Sequence, residues 1–317
     1  MNHRPVNHRS VVHHRPIDLC RTWLFVAGAD AAAHDAANRS GADALIQDLE
    51  DFTPPARRHE ARMLAADLYA AWRAAGAVVV VRINRLDEGG LTDLDTVIPA
   101  RPDIIAYPKA ASANDMHALD NEVTRREKLR GLPAGGITLL PVCETALGVV
   151  NLREMAAASP RVRTALLGTE DLAADLMAER GRDAVELDYA RRRFVLECRA
   201  AGIEPIDAPY TFTDVEGAVN EARFARRIGY RSKSLVRADH AAAINAALTP
   251  SQEECDKARA IITAFEAARA RGEERVLVDG LWVEVPMMLT AQRLLARAAA
   301  LAASSGTARI SRSGNQL

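Results

Sequence analysis

The sequence predicts an α/β protein whose parallel strands close into a (β/α)8 TIM barrel, followed by a C-terminal helical extension. Three observations indicate this fold: short apolar runs alternate with helical segments, there are eight such runs, and several of them end in charged residues. Continuous Val/Ile/Leu runs are typical of parallel strands that are buried on both faces. Strict alternation of strands and helices favours right-handed crossovers, and eight units favour a closed barrel over an open sheet.

The predicted elements follow one another in a regular order. The strands lie at residues 22–28, 44–50, 77–84, 104–109, 137–145, 164–170, 203–210 and 232–237. Apolar side chains at helical spacing predict helices at 29–40, 57–75, 113–129, 149–158, 187–201, 214–228 and 238–247. The stretch between the third and fourth strands has room for only a turn or two of helix. A dinucleotide-binding fold is not favoured, because the first strand ends in Ala27-Gly28-Ala29-Asp30 and lacks the GxGxxG pattern.

The chain divides into four predicted segments. Residues 1–20 form a disordered arm rich in His and Arg, and residues 21–250 form the barrel. Residues 251–303 exceed what a barrel needs and predict a lid and oligomerisation segment. The polar residues 304–317 predict a frayed tail.

Composition limits the classes of partner. The formal net charge is −1 and the sequence pI is about 6.7, so no global basic field is available to bind nucleic acid or an anionic membrane. No apolar stretch approaches the roughly 20 residues that cross a bilayer. The four cysteines have no metal-ligand spacing, which favours free thiols and a cytoplasmic location.

Two carboxylates follow successive strands at the exits where a barrel places its chemistry. Glu144 ends one apolar run, and Asp171 lies at the equivalent position of the next unit. Neighbouring parallel strands lie roughly 5 Å apart, so the two side chains can share a hard cation. Because the candidate ligands are carboxylates, Mg²⁺ is favoured over Zn²⁺, with Mn²⁺ as the alternative. The competing interpretation is a pair of helix N-terminal carboxylates bonded to backbone N–H groups.

Arg82 ends a run of four valines and is a candidate clamp for an anionic substrate. The alternative is a structural ion pair with Asp48 or Glu50 on the preceding strand. Asp48 and Glu50 share one strand face, so one can support Arg82 while the other holds a metal-bound water or a lysine. Lys109, one of only four lysines, is expected to complete this network or to form a Schiff base.

Several motifs together resemble the citrate lyase β-subunit-like branch of the HpcH/HpaI aldolase family. The resemblance extends from about Arg21 to Ala300, with the motifs in the family's order. They are Arg21-Thr22-Trp23-Leu24-Phe25-Val26-Ala27-Gly28, Ser40-Gly41-Ala42-Asp43-Ala44, Asp48-Leu49-Glu50-Asp51, Val81-Arg82-Ile83-Asn84, Pro108-Lys109, Glu144-Thr145-Ala146 and Gly168-Thr169-Glu170-Asp171-Leu172. The resemblance implies a Mg²⁺-dependent carbon–carbon lyase. Its substrate would be a citryl-, malyl- or citramalyl-thioester, cleaved to a 2-oxo acid and an acyl thioester carried by CoA or an acyl carrier protein.

The resemblance also implies roles for individual residues. Glu144 and Asp171 match the family's metal ligands, and Arg82 matches the residue that binds the 2-oxo acid carboxylate. The family further implies a homo-oligomer, trimeric or hexameric, in which a neighbouring subunit supplies a proton donor. Glu284 stands at that position, where the family pattern has Asp. The expected catalytic residues are therefore Arg82, Glu144, Glu284, Asp48 and Glu50, and the expected substrate-binding residues are Arg82, Glu144 and Lys109.

Three alternative functions remain open at the sequence level. The same scaffold could hydrolyse the thioester without cleaving a carbon–carbon bond. A catalytically altered paralogue could bind a 2-oxo acid without turnover, since Arg237, Ala238 and His240 replace the family's usual His, Pro and Gln. A Schiff-base aldolase would use Lys109 or Lys233.

Overall fold

Eight parallel strands form a closed barrel, which confirms the predicted fold class. The computed structural model describes the backbone of residues 15–313 and the side chains of residues 15–304. The strands pair in chain order, and the last pairs with the first. They are β1 Thr22–Ala27, β2 Ala44–Asp48, β3 Val78–Arg82, β4 Ile104–Tyr107, β5 Thr138–Cys143, β6 Thr164–Leu167, β7 Glu204–Tyr210 and β8 Ser232–Leu235.

Helices connect the strands around the outside of the barrel. They are α1 Ala31–Ser40, α2 Arg58–Ala74, α3 Gly90–Val97, α4 Ala113–Leu129, α5 Ala146–Val150, α6 Leu152–Ala158, α7 Glu170–Asp175, α8 Asp188–Ala201, α9 Val215–Ile228 and α10 Ala241–Leu248. Helix α1 begins later than predicted because the Asp30 carboxylate caps it by accepting a hydrogen bond from Ala33 N–H. The helix predicted at 149–158 is two helices, divided at Asn151, whose side-chain amide donates to the Ala111 carbonyl.

Alternation along the strands separates two hydrophobic layers. One layer lies between the strands and the helices. The other fills the barrel interior, and its members include Trp23, Phe25, Ile46, Val80, Leu140, Val142 and Leu166. Continuing the same alternation towards the carboxyl ends of β2, β3 and β5 leads to Asp48, Arg82 and Glu144. The interior packing thus ends in a layer of charge.

The C-terminal extension is a helical hairpin. It consists of α11 Gln252–Ala270, the short strands β9 Val276–Val278 and β10 Leu281–Val283, and α12 Val285–Ser313. Helices α11 and α12 pack against each other, and β9 and β10 pair antiparallel between them. Helix α12 also contacts the 3-10 turn Ile17–Leu19, which precedes β1 and therefore lies at the amino ends of the strands.

Two predicted segment boundaries need correction. Ile17–Leu19 form a 3-10 turn and Cys20 is buried, because this part of the predicted arm packs beneath the barrel. Helix α12 runs past the predicted end at residue 303 to Ser313. The rest of the predicted arm, residues 1–14, and residues 314–317 lie outside the described residues.

The four cysteines have free thiols, as predicted, and all four are buried: Cys20, Cys143, Cys198 and Cys255. Within residues 15–313, none of the helices combines the length and apolar character needed to span a bilayer.

Candidate active site at the carboxyl ends of the strands

A cavity of about 270 Å³ opens at the carboxyl ends of the barrel strands. Its wall combines apolar side chains with an arginine and several carboxylates, which come from the strand ends and from the loops that follow them. The lining residues are Phe25, Asp51, Phe52, Arg82, Val142, Glu144, Leu166, Gly168, Thr169, Glu170, Asp171, Pro209, Thr211 and Val236.

Asp48 and Arg82 form a buried ion pair beneath this cavity. The β2–β3 register places them directly opposite each other. Arg82 Nε lies 2.9 Å from Asp48 Oδ1, and Arg82 Nη2 donates to Oδ2, so the contact is bidentate. The Asp48 oxygens also accept hydrogen bonds from the N–H groups of Glu50, at 2.9 Å, and Phe52, at 3.1 Å. The carboxylate is therefore held on both sides and fixes the guanidinium.

Glu50 links Arg82 to Lys109. Its Oε2 lies 2.9 Å from Arg82 Nη1, and its Oε1 accepts a hydrogen bond of 3.0 Å from Lys109 Nζ. Burial raises the pKa of Glu50, while Arg82 and Lys109 oppose that shift. Burial lowers the pKa of Lys109, but the hydrogen bond to Glu50 and the negative charges of Glu50, Asp51 and Asp171 together outweigh it and raise the pKa. Lys109 is thus an ammonium ion at neutral pH.

Two aromatic rings flank the Arg82 guanidinium. Its central carbon lies 5.0 Å from the ring centre of Phe25 and 5.7 Å from that of Phe52. Burial disfavours the charged form, but Asp48 and Glu50 outweigh it and raise the pKa of Arg82 above its ordinary value. A guanidinium has five N–H donors, and its contacts with Asp48 and Glu50 use at most three. At least two donors are not used by these two carboxylates, and the Asp51 carboxylate lies 3.9 Å from Nη1, beyond hydrogen-bond distance.

Glu144 is a buried carboxylate that follows β5 and lines the same cavity, and the residue is only 3% exposed. Its Oε1 accepts a hydrogen bond of 2.8 Å from the backbone N–H of Lys109. Lys109 adopts a left-handed conformation with φ of 50°, which costs about 1 kcal/mol for a residue with a side chain. Burial raises the pKa of Glu144 to about 7; Arg82 opposes the shift and Asp171 adds to it.

Gly168 makes room for Glu144. A Cβ atom at Gly168 would lie 2.4 Å from the Glu144 Cβ and 3.1 Å from its Oε2. Only glycine therefore lets β6 approach the Glu144 side chain this closely. Asp171, three residues further on, lies in the first turn of α7 and lines the same cavity.

The two carboxylates suit a hard divalent cation. Among the described residues, no hydrogen bond or ion pair engages the Asp171 side chain, and the Glu144 carboxylate accepts only the Lys109 N–H. Neither acts as the helix cap that the sequence left open. No group of three His, Cys, Asp or Glu side chains with metal-site geometry occurs in the described part of the chain. Two carboxylates with water or substrate oxygens in the other positions is a common Mg²⁺ arrangement.

The remaining predicted site residues lie away from the cavity wall. Asp48 is completely buried and Glu50 nearly so, and both contact the site through Arg82. Lys109 reaches it through Glu144 and Glu50. Glu284 is exposed at the start of α12, and no residue of the C-terminal extension lines this cavity in its own chain.

The two candidate Schiff-base lysines are both engaged. Lys233 is completely buried, and its Nζ donates to Asp207, Glu221 and the Ala208 carbonyl at 2.6–3.0 Å. Lys109 is held by Glu50. A nucleophilic amine must be neutral and accessible, so the geometry favours neither lysine as a Schiff base.

Sequence analysis missed three contributors to the site. Phe25 and Phe52 flank Arg82, and Gly168 gives Glu144 its space. The alternation of side chains along β1, which directs every second residue into the barrel, could have identified Phe25. No local signal identifies the contact between Gly168 and Glu144, because it joins two strands.

The fold and the cavity together define a barrel enzyme with a charged site at its C-terminal face. The chain belongs to the HpcH/HpaI aldolase/citrate lyase family, whose model matches residues 21–238. This confirms the resemblance drawn from the motifs.

Named relatives cover almost the whole chain. Citrate lyase subunit beta of Leuconostoc mesenteroides subsp. cremoris is 35% identical over 279 residues, which cover 87% of this chain and 92% of the relative. A (3S)-malyl-CoA thioesterase of Cereibacter sphaeroides is 31% identical over 285 residues, which cover 89% and 96%. The relatives of this chain thus include both a citrate lyase subunit and a thioesterase.

A solved relative has a similar structure. The CitE protein of Mycobacterium tuberculosis, in complex with magnesium, acetoacetate and coenzyme A, superposes with a TM-score of 0.71. The two are 26% identical, and the match covers 89% of this chain and all of that chain.

The close contact at Gly168 generates a stability prediction. Gly168→Ala should destabilise the fold by about 1–3 kcal/mol, because the new methyl group displaces Glu144. Gly181→Ala is the matched control, since its new methyl would meet only the carboxylate ends of the Asp183 and Glu186 side chains, at 2.8 Å and 3.7 Å, and no backbone or Cβ atom. Urea unfolding of both variants measures the difference. Equal stability of the two variants would contradict the tight contact.

Proposed function

We propose that this chain is a Mg²⁺-dependent carbon–carbon lyase that cleaves a 3-hydroxyacyl thioester into a 2-oxo acid and an acyl thioester. One observation carries the proposal: a single small cavity is lined by Arg82, whose guanidinium is fixed but keeps unused donors, and by Glu144 and Asp171, whose carboxylates have no cationic partner among the described residues. The citrate lyase relatives support the reaction class, and the magnesium-bound relative supports the metal.

Arg82 would bind the substrate carboxylate that becomes the carboxylate of the 2-oxo acid. Its unshared N–H donors suit a carboxylate, and Asp48, Phe25 and Phe52 hold the guanidinium in place before substrate arrives. Asp48 and Glu50 act as positioning residues. Lys109 donates one hydrogen bond from its backbone N–H to Glu144 and another from its ammonium group to Glu50.

Glu144 and Asp171 would hold the cation. Bound Mg²⁺ would supply Lewis-acid polarisation of the substrate hydroxyl and carboxylate oxygens. Gly168 keeps the Glu144 side chain in position, and Lys109 N–H fixes one of its oxygens, so the carboxylate is oriented by the protein alone.

Cleavage requires two proton movements. The substrate hydroxyl loses its proton to water and becomes the carbonyl of the 2-oxo acid as the carbon–carbon bond breaks, the electrons of that bond form the thioester enolate, and the enolate carbon takes up a proton. Glu284 of a neighbouring subunit would supply that proton.

The C-terminal hairpin has the surface expected of a segment that docks onto another subunit. Its tip exposes large apolar side chains, each about 40–55% accessible: Leu277, Leu281, Trp282 and Leu289. Glu284 lies among them. We therefore propose a homo-oligomer, trimeric or hexameric, in which this tip closes the cavity of a neighbour.

The cavity size bears on the substrate. A volume of about 270 Å³ accommodates a small 2-oxo acid but not a CoA-sized carrier. The thioester would therefore extend out of the cavity mouth towards the neighbouring subunit, with CoA or an acyl carrier protein as the carrier. The free buried cysteines support a reducing, cytoplasmic location.

A thioester hydrolase is the second candidate, favoured by the (3S)-malyl-CoA thioesterase relatives. The same site would bind the same substrate, but water would attack the thioester carbonyl and the carbon skeleton would stay whole. Product analysis separates the two reactions, because only the lyase releases a 2-oxo acid. A 2-oxo acid that binds without any thioester turnover would indicate the catalytically altered paralogue.

Metal dependence tests the function directly. Malyl-, citramalyl- and citryl-CoA are incubated with the protein, and 2-oxo acid and free thiol are measured separately. We expect 2-oxo acid to form, EDTA to abolish its formation and Mg²⁺ to restore it. Glu144→Gln should lower kcat/KM by about 100-fold or more, since a catalytic metal contributes several kcal/mol. Glu266→Gln, an exposed change on α11, is the control, and activity indifferent to EDTA would refute the proposal.

Subunit mixing tests the shared site. Glu284→Gln and Glu144→Gln protomers should each be poorly active alone, whereas mixed oligomers should regain activity in about a quarter of their sites. Glu144→Gln is preferred to an Arg82 variant because loss of Arg82 leaves Asp48 buried and unpaired. Mixed assembly is verified by native mass spectrometry. Verified hetero-oligomers without regained activity would rule out a shared site.

A further inference from the structure

A second cavity, of about 650 Å³, lies at the opposite end of the barrel. Two of its lining residues fix its position: Glu204 is the first residue of β7, and Arg231 immediately precedes β8. The cavity therefore lies at the amino ends of the strands, beneath helix α12. We call it the basal cleft. It is unusually rich in arginine, since five arginines line it against two carboxylates, Asp18 and Glu204. The arginines are Arg199, Arg226, Arg231, Arg293 and Arg297.

Two of these arginines are accounted for by their surroundings. Arg199 and Arg226 lie in the last turns of α8 and α9, where positive charge is favoured by the helix dipole. Arg199 also pairs with Glu204 at 2.6 Å, and Arg226 pairs with Glu254 at 2.8 Å.

The other three arginines have no carboxylate partner within ion-pair distance among the described residues. Arg231 donates to the carbonyls of Arg226 and Tyr230, and Arg297 donates to those of Asp18 and Arg231. These hydrogen bonds to backbone carbonyls use N–H donors of the two arginines, but they do not neutralise the positive charges. Residues 1–14 and 305–317 contain no Asp or Glu, so their side chains cannot supply the missing negative charge.

The cleft brings several positive charges close together in a partly buried space, where they repel one another. Burial lowers the pKa of Arg231, and Arg226 and Arg199 lower it further. Burial also lowers the pKa of Arg297, with a contribution from Arg231, and the opposing charges of Glu204 and Asp18 do not cancel the shift. Arg293 and Arg297 are four residues apart on α12, a spacing at which like charges repel. An anion in the cleft would offset the repulsion between these arginines.

We propose that the basal cleft binds a phosphate-bearing small molecule. Guanidinium groups match phosphate oxygens with paired donors, and arginines from two separate elements converge here on one space. The volume lies within the range typical of small-molecule sites. Because Arg231 belongs to the barrel and Arg293 and Arg297 to α12, the ligand would join the extension to the barrel. This inference does not rest on the proposed lyase activity.

Calorimetric titration of the full chain tests the proposal. Pyrophosphate, orthophosphate and ADP are titrated separately at an ionic strength matched with NaCl, and malonate serves as a dicarboxylate comparison. We expect pyrophosphate to bind once per chain and more tightly than malonate. Tighter binding of ADP than of pyrophosphate would assign the site to nucleotides, and the reverse order would assign it to free phosphates.

Substitutions locate the binding. Arg293→Gln and Arg231→Gln should each weaken pyrophosphate binding at least tenfold. Arg227→Gln, an exposed charge one residue beyond Arg226 and outside the cleft, should leave it unchanged. Arg293 is exposed, so its variant tests the site even if Arg231→Gln fails to fold. Absence of saturable binding, equal binding of malonate, or unchanged affinity in Arg293→Gln would overturn the proposal.

Discussion

The ion pair between Asp48 and Arg82 is the interaction on which the rest of the site depends. A buried guanidinium is tolerated only when its charge is compensated and its donors are used. The strand register puts Asp48 opposite Arg82, two backbone N–H groups hold the carboxylate, and two phenylalanine rings flank the arginine. The result is a fixed cation that lines the cavity and keeps N–H donors that Asp48 and Glu50 do not use.

The other charged groups are arranged around that cation. Glu50 and Glu144 both contribute negative potential to Arg82, and Lys109 connects them through its side chain and its backbone N–H. Removing Asp48, Glu50 or Arg82 breaks an ion pair whose other member stays in a site of low solvent access. This interdependence explains why an apolar barrel interior can end in a layer of ionised side chains.

The fold and the core of the site could be predicted because they follow from periodicity. Alternation along the strands placed Asp48 and Glu50 on one face, and strand exits identified Arg82, Glu144, Lys109 and Asp171. The sequence left open whether Arg82 pairs with Asp48 or Glu50, and it contacts both. Its role as a carboxylate clamp stays a prediction, as do the metal-ligand roles of Glu144 and Asp171.

Other features could not be predicted because they arise only from tertiary packing. The left-handed backbone of Lys109 and the contact of Gly168 with Glu144 depend on neighbouring strands. The polar character of residues 304–317 predicted a frayed tail, whereas helix α12 continues to Ser313. The basal cleft assembles arginines that are separated by up to about a hundred residues in the chain, so no local pattern marks it.

A double-mutant cycle on Asp48 and Arg82, measured by urea unfolding, tests the central claim most directly. The account predicts that Asp48→Asn destabilises the protein by about 3–5 kcal/mol, because it leaves the buried guanidinium without its bidentate partner. The double variant with Arg82→Gln should be clearly more stable than the sum of the single effects implies. An Asp48→Asn effect below about 1 kcal/mol, as for a solvent-exposed pair, together with additive single effects, would contradict it.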